Sequence, residues 1–243
     1  MFIWLASYPK SGNTLIRSML ASYFFSNDGI FNFDLIRNIK QFPKTDLFEK
    51  NGVNIHDEKE IIRNYLKVQE QINEKRSIQF LKTHSYLFNI ENNPFTNLEH
   101  TLGVIYIVRD PRSIVISSSN HNNCSHQTTT DQIIDGLPIR GDNKSSVFVY
   151  PGTWSGNYNS WKSFKYEERY LLIKYEDLIL EKKNTFLKIL KFIKKFNKKK
   201  FTINIKKFDN VLNATSFENM KKLENEKGFF EAMTDKNSGK KKP

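Results

Sequence analysis

At 243 residues, with 38% hydrophobic and 26% charged residues, the chain has the composition of a globular protein large enough for one substantial core. No apolar run approaches the roughly 20 residues that span a bilayer, and the opening run is too short for a signal-peptide core and lacks a basic flank. A single cysteine, Cys124, excludes an internal disulfide, and a net charge of +12 favours an anionic partner, so a reducing, cytoplasmic setting is expected.

Phe2-Ile3-Trp4-Leu5-Ala6 is a short unbroken apolar run, the pattern of a strand buried on both faces of a parallel sheet. It passes into Ser7-Tyr8-Pro9-Lys10-Ser11-Gly12-Asn13-Thr14, after which Leu15, Ile16, Met19 and Leu20 recur at helical spacing. Strand, tight polar loop and helix aim several unpaired backbone N–H groups and the positive end of the helix dipole at one point, which suits phosphate or sulfate. Lys10 adds a mobile charge there, and Ser11, Asn13 and Thr14 offer side-chain donors. The loop is not a Walker A motif, because its lysine precedes the glycine by two residues instead of following it.

Residues Ser26 to His56 read as irregular, with a short helix near Leu35. From Glu58 to Lys75, Ile61, Tyr65, Val68 and Ile72 mark one face of a helix. A second strand covers Ser77 to Lys82 and ends at Thr83-His84, and a third, Thr101 to Val108, is stopped by Arg109-Asp110-Pro111. Asp110 is placed to cap a helix that begins with Pro111 and runs to about Ser119. Asn120 to Val147 is polar and poor in core residues, so it reads as a mobile loop or lid. Helices are expected over Trp154 to Glu168 and Asn184 to Phe196, flanking a fourth strand over Tyr170 to Tyr175. The lysines after Lys182 alternate with Phe186, Ile189, Leu190, Ile193 and Phe196, as on the solvated side of an amphipathic helix, and there is no zinc-finger spacing, RNA-recognition motif or arginine stripe, so no nucleic-acid partner is expected.

Strands alternating with helices predict a three-layer α/β/α fold with a central, mostly parallel sheet, forming a single domain over 1–243. In such sheets ligands bind beyond the carboxyl ends of the strands. Lys10, His84, Arg109 and Tyr175 each fall at one of those ends, which predicts one shared site. His121, Cys124 and His126 lack a fourth ligand at workable spacing, so no metal is expected, and Arg140-Gly141-Asp142 reads as chance.

The order Tyr-Pro-Lys-Ser-Gly-Asn-Thr resembles the 5′-phosphosulfate loop of the sulfotransferases that use 3′-phosphoadenosine 5′-phosphosulfate, a P-loop-like nucleotide-binding fold. Arg109-Asp110-Pro111-Arg112-Ser113-Ile114-Val115-Ile116-Ser117 is similar to their 3′-phosphate segment, which implies Arg109 and Ser117 as its ligands. Lys82-Thr83-His84 resembles their Lys-Thr-His, which implies His84 as general base, with Lys82 stabilising charge on the transferring group and Lys10 the charge on the oxygen that leaves. Gly152 to Trp161 and Tyr175-Glu176-Asp177-Leu178 also resemble family segments, and Thr215-Ser216-Phe217-Glu218-Asn219-Met220 looks like a later cofactor-contacting one. The resemblance thus implies cofactor contacts at Lys10, Ser11, Gly12, Asn13, Thr14, Leu15, Arg109, Ser117, Tyr175, Thr215, Ser216 and Phe217, and a small-molecule or glycan acceptor.

Two departures stand out. Leu15 occupies a position that is often tryptophan, and the family's C-terminal Arg-Lys-Gly loop has no counterpart before Lys240-Lys241-Lys242-Pro243. Either the tail lysines substitute for that loop, or the form is shortened and binds its cofactor more weakly. Two rival functions stay open at this point: a P-loop-class nucleotide phosphotransferase, with Ile105 to Val108 and Asp110 as its magnesium strand, and a non-catalytic polyanion binder.

Overall fold

The computed structural model describes residues 1–73, 78–139, 147–197, 201–229 and 231. In chain order its strands are β1 (Phe2–Ser7), β2 (Lys40–Gln41), β3 (Gln79–Thr83), the hairpin β4 (Asn89–Ile90) and β5 (Asn93–Pro94), β6 (Thr101–Val108) and β7 (Tyr170–Lys174). The helices are α1 (Asn13–Phe25), α2 (Thr45–Glu49), α3 (Glu58–Arg63), α4 (Tyr65–Ile72), α5 (Pro111–Asn122), α6 (His126–Asp135), α7 (Trp154–Trp161), α8 (Tyr175–Leu180), α9 (Lys182–Phe196), α10 (Ile205–Ala214) and α11 (Phe217–Lys227), with 3-10 turns at Phe33–Asn38 and Lys162–Lys165.

Five strands form one sheet in the order β2-β3-β1-β6-β7, and every neighbouring pair in it is parallel. β1 lies in the middle, and all six of its residues are buried. Its alternating side chains feed two separate cores. Ile3 and Leu5 join Ile105 and Ile107 of β6 against α1, α9 and α10. Phe2, Trp4 and Ala6 join Val104 and Tyr106 against α4 and α7 on the other face. The unbroken apolar run therefore has a use for every residue, and each large side chain fully removed from water contributes about 1.5–3 kcal/mol. The outcome is the three-layer α/β/α arrangement with a parallel sheet.

Several details differ from the sequence reading, among them β2 and α2 within Ser26 to His56, a stretch expected to be irregular apart from a short helix near Leu35. The helix expected over Glu58 to Lys75 is two short helices that meet at Asn64, whose side-chain amide donates to the Glu60 carbonyl at 2.8 Å and so competes with the backbone ladder. The stretch after Asn120 is not merely loop: α6 forms there, capped by Ser125, whose hydroxyl accepts from the Thr128 N–H, and ended by Gly136 at φ 69. It is held by burial of Thr129 and Ile133, and the Thr129 hydroxyl lies 2.9 Å from that of Ser119. Tyr175 opens α8 instead of ending β7.

With all sheet strands pointing one way, their carboxyl ends at Ser7, Thr83, Val108 and Lys174 form a common edge, and the candidate residues follow directly after it.

Candidate active site

The loop after β1 carries Lys10 at φ 64 and Gly12 at φ 93, both left-handed. Gly12 precedes α1 and gives it no side-chain cap; the Leu15 N–H turns back to the Gly12 carbonyl at 3.1 Å, so the N–H groups of Asn13 and Thr14 are the ones left for an outside acceptor. A β-carbon at Gly12 would stand 2.4 Å from the Tyr175 ring, so both the backbone angle and the close aromatic neighbour require glycine here. The Ser11 hydroxyl is buried without a partner. Asn13 is buried and its amide is already committed, donating to the Leu5 carbonyl at 2.9 Å and to the Ser7 hydroxyl at 3.1 Å. Its contribution to an anion is thus left to the backbone N–H. Thr14 is partly buried, and Leu15 packs against the core rather than standing free as a stacking face.

His84 follows β3. Its Nδ1 lies 2.9 Å from the Ser7 carbonyl oxygen and 3.2 Å from the Ser7 hydroxyl. A carbonyl can only accept, so Nδ1 carries the proton and Nε2 keeps the lone pair. Burial, with the Lys82 charge adding to it, pushes the imidazole well below the usual histidine range, so it is neutral near pH 7. Lys82 is itself buried and donates to the Gln41 side chain at 2.8 Å. Burial lowers its ammonium to about 8, against a raising contribution from Glu231 and with Arg17 and Lys10 lowering it further.

Arg109 and Tyr175 close the other side. The guanidinium sits 4.2 Å above the Tyr175 ring and donates through Nη1 to the Lys10 carbonyl at 2.9 Å, while its Nε is buried and unpartnered. Lys10 is lowered from its ordinary value by burial first and by Arg109 second, with Glu224 of α11 opposing. Beside this pair an open cleft of about 220 Å³ is lined by Arg109, Ser113, Tyr175, Glu176, Ile179 and Leu180. Ser117 is one helical turn beyond Ser113 on α5 and partly buried. Asp110 is spent on capping α5 and pairing with Arg112 at 2.6 Å.

The later candidates are less uniform. The Thr215 hydroxyl is buried and donates to the Val211 carbonyl at 2.7 Å, Ser216 caps α11, and Phe217 is 74% exposed with the Lys221 ammonium 5.9 Å from its ring. Arg140-Gly141-Asp142 and Lys240-Lys241-Lys242 lie outside the described residues. Among the described residues no group of three or more His, Cys, Asp or Glu could hold a metal, and no helix is long and apolar enough to cross a membrane.

One loop is therefore gripped from both sides, by the imidazole through Ser7 and by the guanidinium through Lys10. The family model described as "Sulfotransferase domain" matches residues 2–242. The chain belongs to the sulfotransferase domain family.

Two curated sulfotransferases are similar over 90% of the chain: luciferin sulfotransferase of Photinus pyralis, 26% identical with 56% of its length covered, and 3-alpha-hydroxysteroid sulfotransferase of Cavia porcellus, 25% identical with 65% covered. The chain thus spans somewhat more than half of the length of these relatives. Among solved structures, retinol dehydratase in complex with retinol and PAP aligns with a TM-score of 0.59 at 15% identity, over 94% of this chain and 70% of that one. A mouse sulfotransferase complexed with PAP aligns at 0.54 and 19% identity, over 90% and 65%. At these identities the likeness is one of fold.

Several residues outside the sequence motifs also shape this corner. Arg17 is 2% exposed and makes a two-pronged ion pair with Glu231, both N–H···O distances being 2.8 Å. Both charges act on Lys82, and Arg17 also acts on His84. Gln41 holds Lys82 from an edge strand only two residues long. Arg17 had a legible signal, a charge among the apolar residues of α1. Gln41 and Glu231 had none, since both arrive from distant segments.

Proposed function

We propose that the protein transfers a sulfuryl group from 3′-phosphoadenosine 5′-phosphosulfate to a hydroxyl or amine of a small-molecule or glycan acceptor, in a cytoplasmic setting, with His84 as general base. The bound nucleotide supplies the sulfuryl group, whose bond to the 5′-phosphate breaks as its bond to the acceptor forms. The observation that carries this reading is the meeting of Lys10, His84 and Arg109 on a single loop at the carboxyl edge of the sheet. The residues suit the nucleotide: the Ser11 hydroxyl and Arg109 Nε are buried donors lacking partners, which an anion seated on the loop would satisfy.

Each residue then has a role that follows from its chemistry. Lys10 and the backbone N–H groups of Ser11, Gly12, Asn13 and Thr14 hold the phosphosulfate end and stabilise charge on the departing oxygen. Arg109 and Ser117 would hold the 3′-phosphate, and Tyr175, Ser216 and Phe217 would frame the adenosine, with Leu15 and Thr215 acting from the packed layer behind them. Nε2 of His84 accepts the acceptor's proton because Nδ1 already carries one, and Lys82 neutralises charge on the group in transit.

Adenosine 3′,5′-bisphosphate should raise the melting temperature well above the effect of equimolar ATP. His84→Ala should remove turnover and keep that thermal shift. Equal shifts from both nucleotides would sink the cofactor assignment, and undiminished turnover in His84→Ala would sink the base assignment.

A further inference from the structure

The base is tied to the anion loop by side chains that have no part in the scheme above. Ser7 is the last residue of β1 and is fully buried, with both its carbonyl and its hydroxyl within reach of His84 Nδ1, at 2.9 and 3.2 Å. The Ser7 hydroxyl in turn accepts from the Asn13 amide at 3.1 Å, and that amide also donates to the Leu5 carbonyl at 2.9 Å. Asn13 is the first residue of α1, in the turn that faces the expected anion, and is 4% exposed. A continuous path thus runs from the helix end through a buried serine to the partly buried imidazole. Its members come from β1, α1 and the end of β3, and burial of Ser7 and Asn13 keeps bulk solvent from replacing a lost partner at either side chain.

We propose that Ser7 and Asn13 are positioning residues for the transfer reaction: they orient the His84 ring, hold its proton on Nδ1 and register the base against the loop that grips the donor. The inference rests on His84 being the general base. Asn13 acts by bracing Ser7 and the end of β1 against α1. Ser7 acts by presenting its carbonyl and its hydroxyl to one ring nitrogen, so that a turned ring forfeits both contacts and the other tautomer sets the Nδ1 lone pair against the carbonyl oxygen. Asn157 holds the same residue from behind, donating to the His84 carbonyl at 2.9 Å, which leaves the ring as the freer part of the residue and the part that Ser7 must hold.

The test compares Ser7→Ala, Asn13→Ala and Ser7→Thr with the wild-type protein, using adenosine 3′,5′-bisphosphate as binding probe and a two-bond proton–nitrogen NMR spectrum of the imidazole as structural probe. The wild type should show the proton on Nδ1. Ser7→Ala and Asn13→Ala should each lower kcat by about three- to tenfold, the size of one lost hydrogen bond, with bisphosphate affinity changed less than about twofold in Ser7→Ala. Ser7→Thr, which keeps the hydroxyl, should recover most of the lost kcat. A resting proton on Nε2, unchanged kcat in both alanine variants, or an equal loss in Ser7→Thr overturns the proposal. Should Ser7→Ala fail to fold, Asn13→Ala and the wild-type spectrum still decide it. Undiminished turnover in His84→Ala would instead defeat the base assignment, and the spectrum would still report whether the Ser7 contact exists.

Discussion

Under the proposed reaction, two side chains in one cation-rich corner should set the working pH range. Burial first, and the Lys82 charge second, keep His84 unprotonated well below the ordinary histidine value, while burial brings the Lys82 ammonium down to about 8. Activity that needs a neutral His84 and a charged Lys82 should therefore be level through neutrality and decline above about pH 8. Its acidic limb should fall below the usual histidine value of about 6.5. The pH dependence of kcat/KM checks this, and an acidic limb at the usual histidine value would contradict it. The Arg17–Glu231 pair makes a second prediction. Burial pushes the Glu231 carboxyl up, but the hydrogen bonds and charge of Arg17, helped by Lys82, more than reverse this and leave it below its ordinary value. A carboxyl depressed in the folded state stabilises fully above its unfolded pKa of about 4.3, and that contribution disappears as pH falls through the native value. Glu231→Gln should cost about 1–3 kcal/mol at pH 7, because Arg17 stays buried beside a neutral partner, and less at pH 3. Urea unfolding at the two pH values measures the difference.

Elements here are shaped by close approach as much as by propensity. Gly103 of β6 is the clearest case: a β-carbon there would meet the Phe196 ring at 2.9 Å and the Phe192 ring at 3.0 Å, so α9 sits directly against the strand backbone. Gly103→Val should push α9 away and lower stability by about 1–3 kcal/mol, read as a lower melting temperature. The rise in melting temperature on adding bisphosphate should persist, because the loop after β1 lies at the far end of the strands. The long strands β1 and β6 and the cap at Asp110 were legible because each is a local pattern, an apolar run or an Asp-Pro pair. α6 was not, because its apolar content is slight and the helix is held by Ser119 and Ile114 of α5, the Tyr8 side chain and its own caps. The two-residue β2 exists only because β3 supplies its hydrogen-bonding edge, so no window of sequence around Lys40 could reveal it.

Charge belongs to the whole molecule. A net charge of +12 raises the local concentration of a polyanionic nucleotide, so stopped-flow association of the bisphosphate should slow steeply as salt rises, while dissociation changes less. A salt-independent association rate would show that the net charge does not steer binding. At this scale the division between sequence and structure is also plain. The order of residues by itself determined four of the sheet's five strands and the loop after β1, and it put Lys10, His84, Arg109 and Tyr175 just beyond strand ends, because these are consequences of local polarity and backbone chemistry. Only the tertiary structure decided that the Ser7 carbonyl fixes the imidazole tautomer, that the Asn13 side-chain amide is spent on the strand, and that Gln41, Arg17 and Glu231 surround Lys82. Those contacts join segments up to 214 residues apart, and hydrogen bonding and burial between such segments depend on distance in space, which sequence separation does not encode.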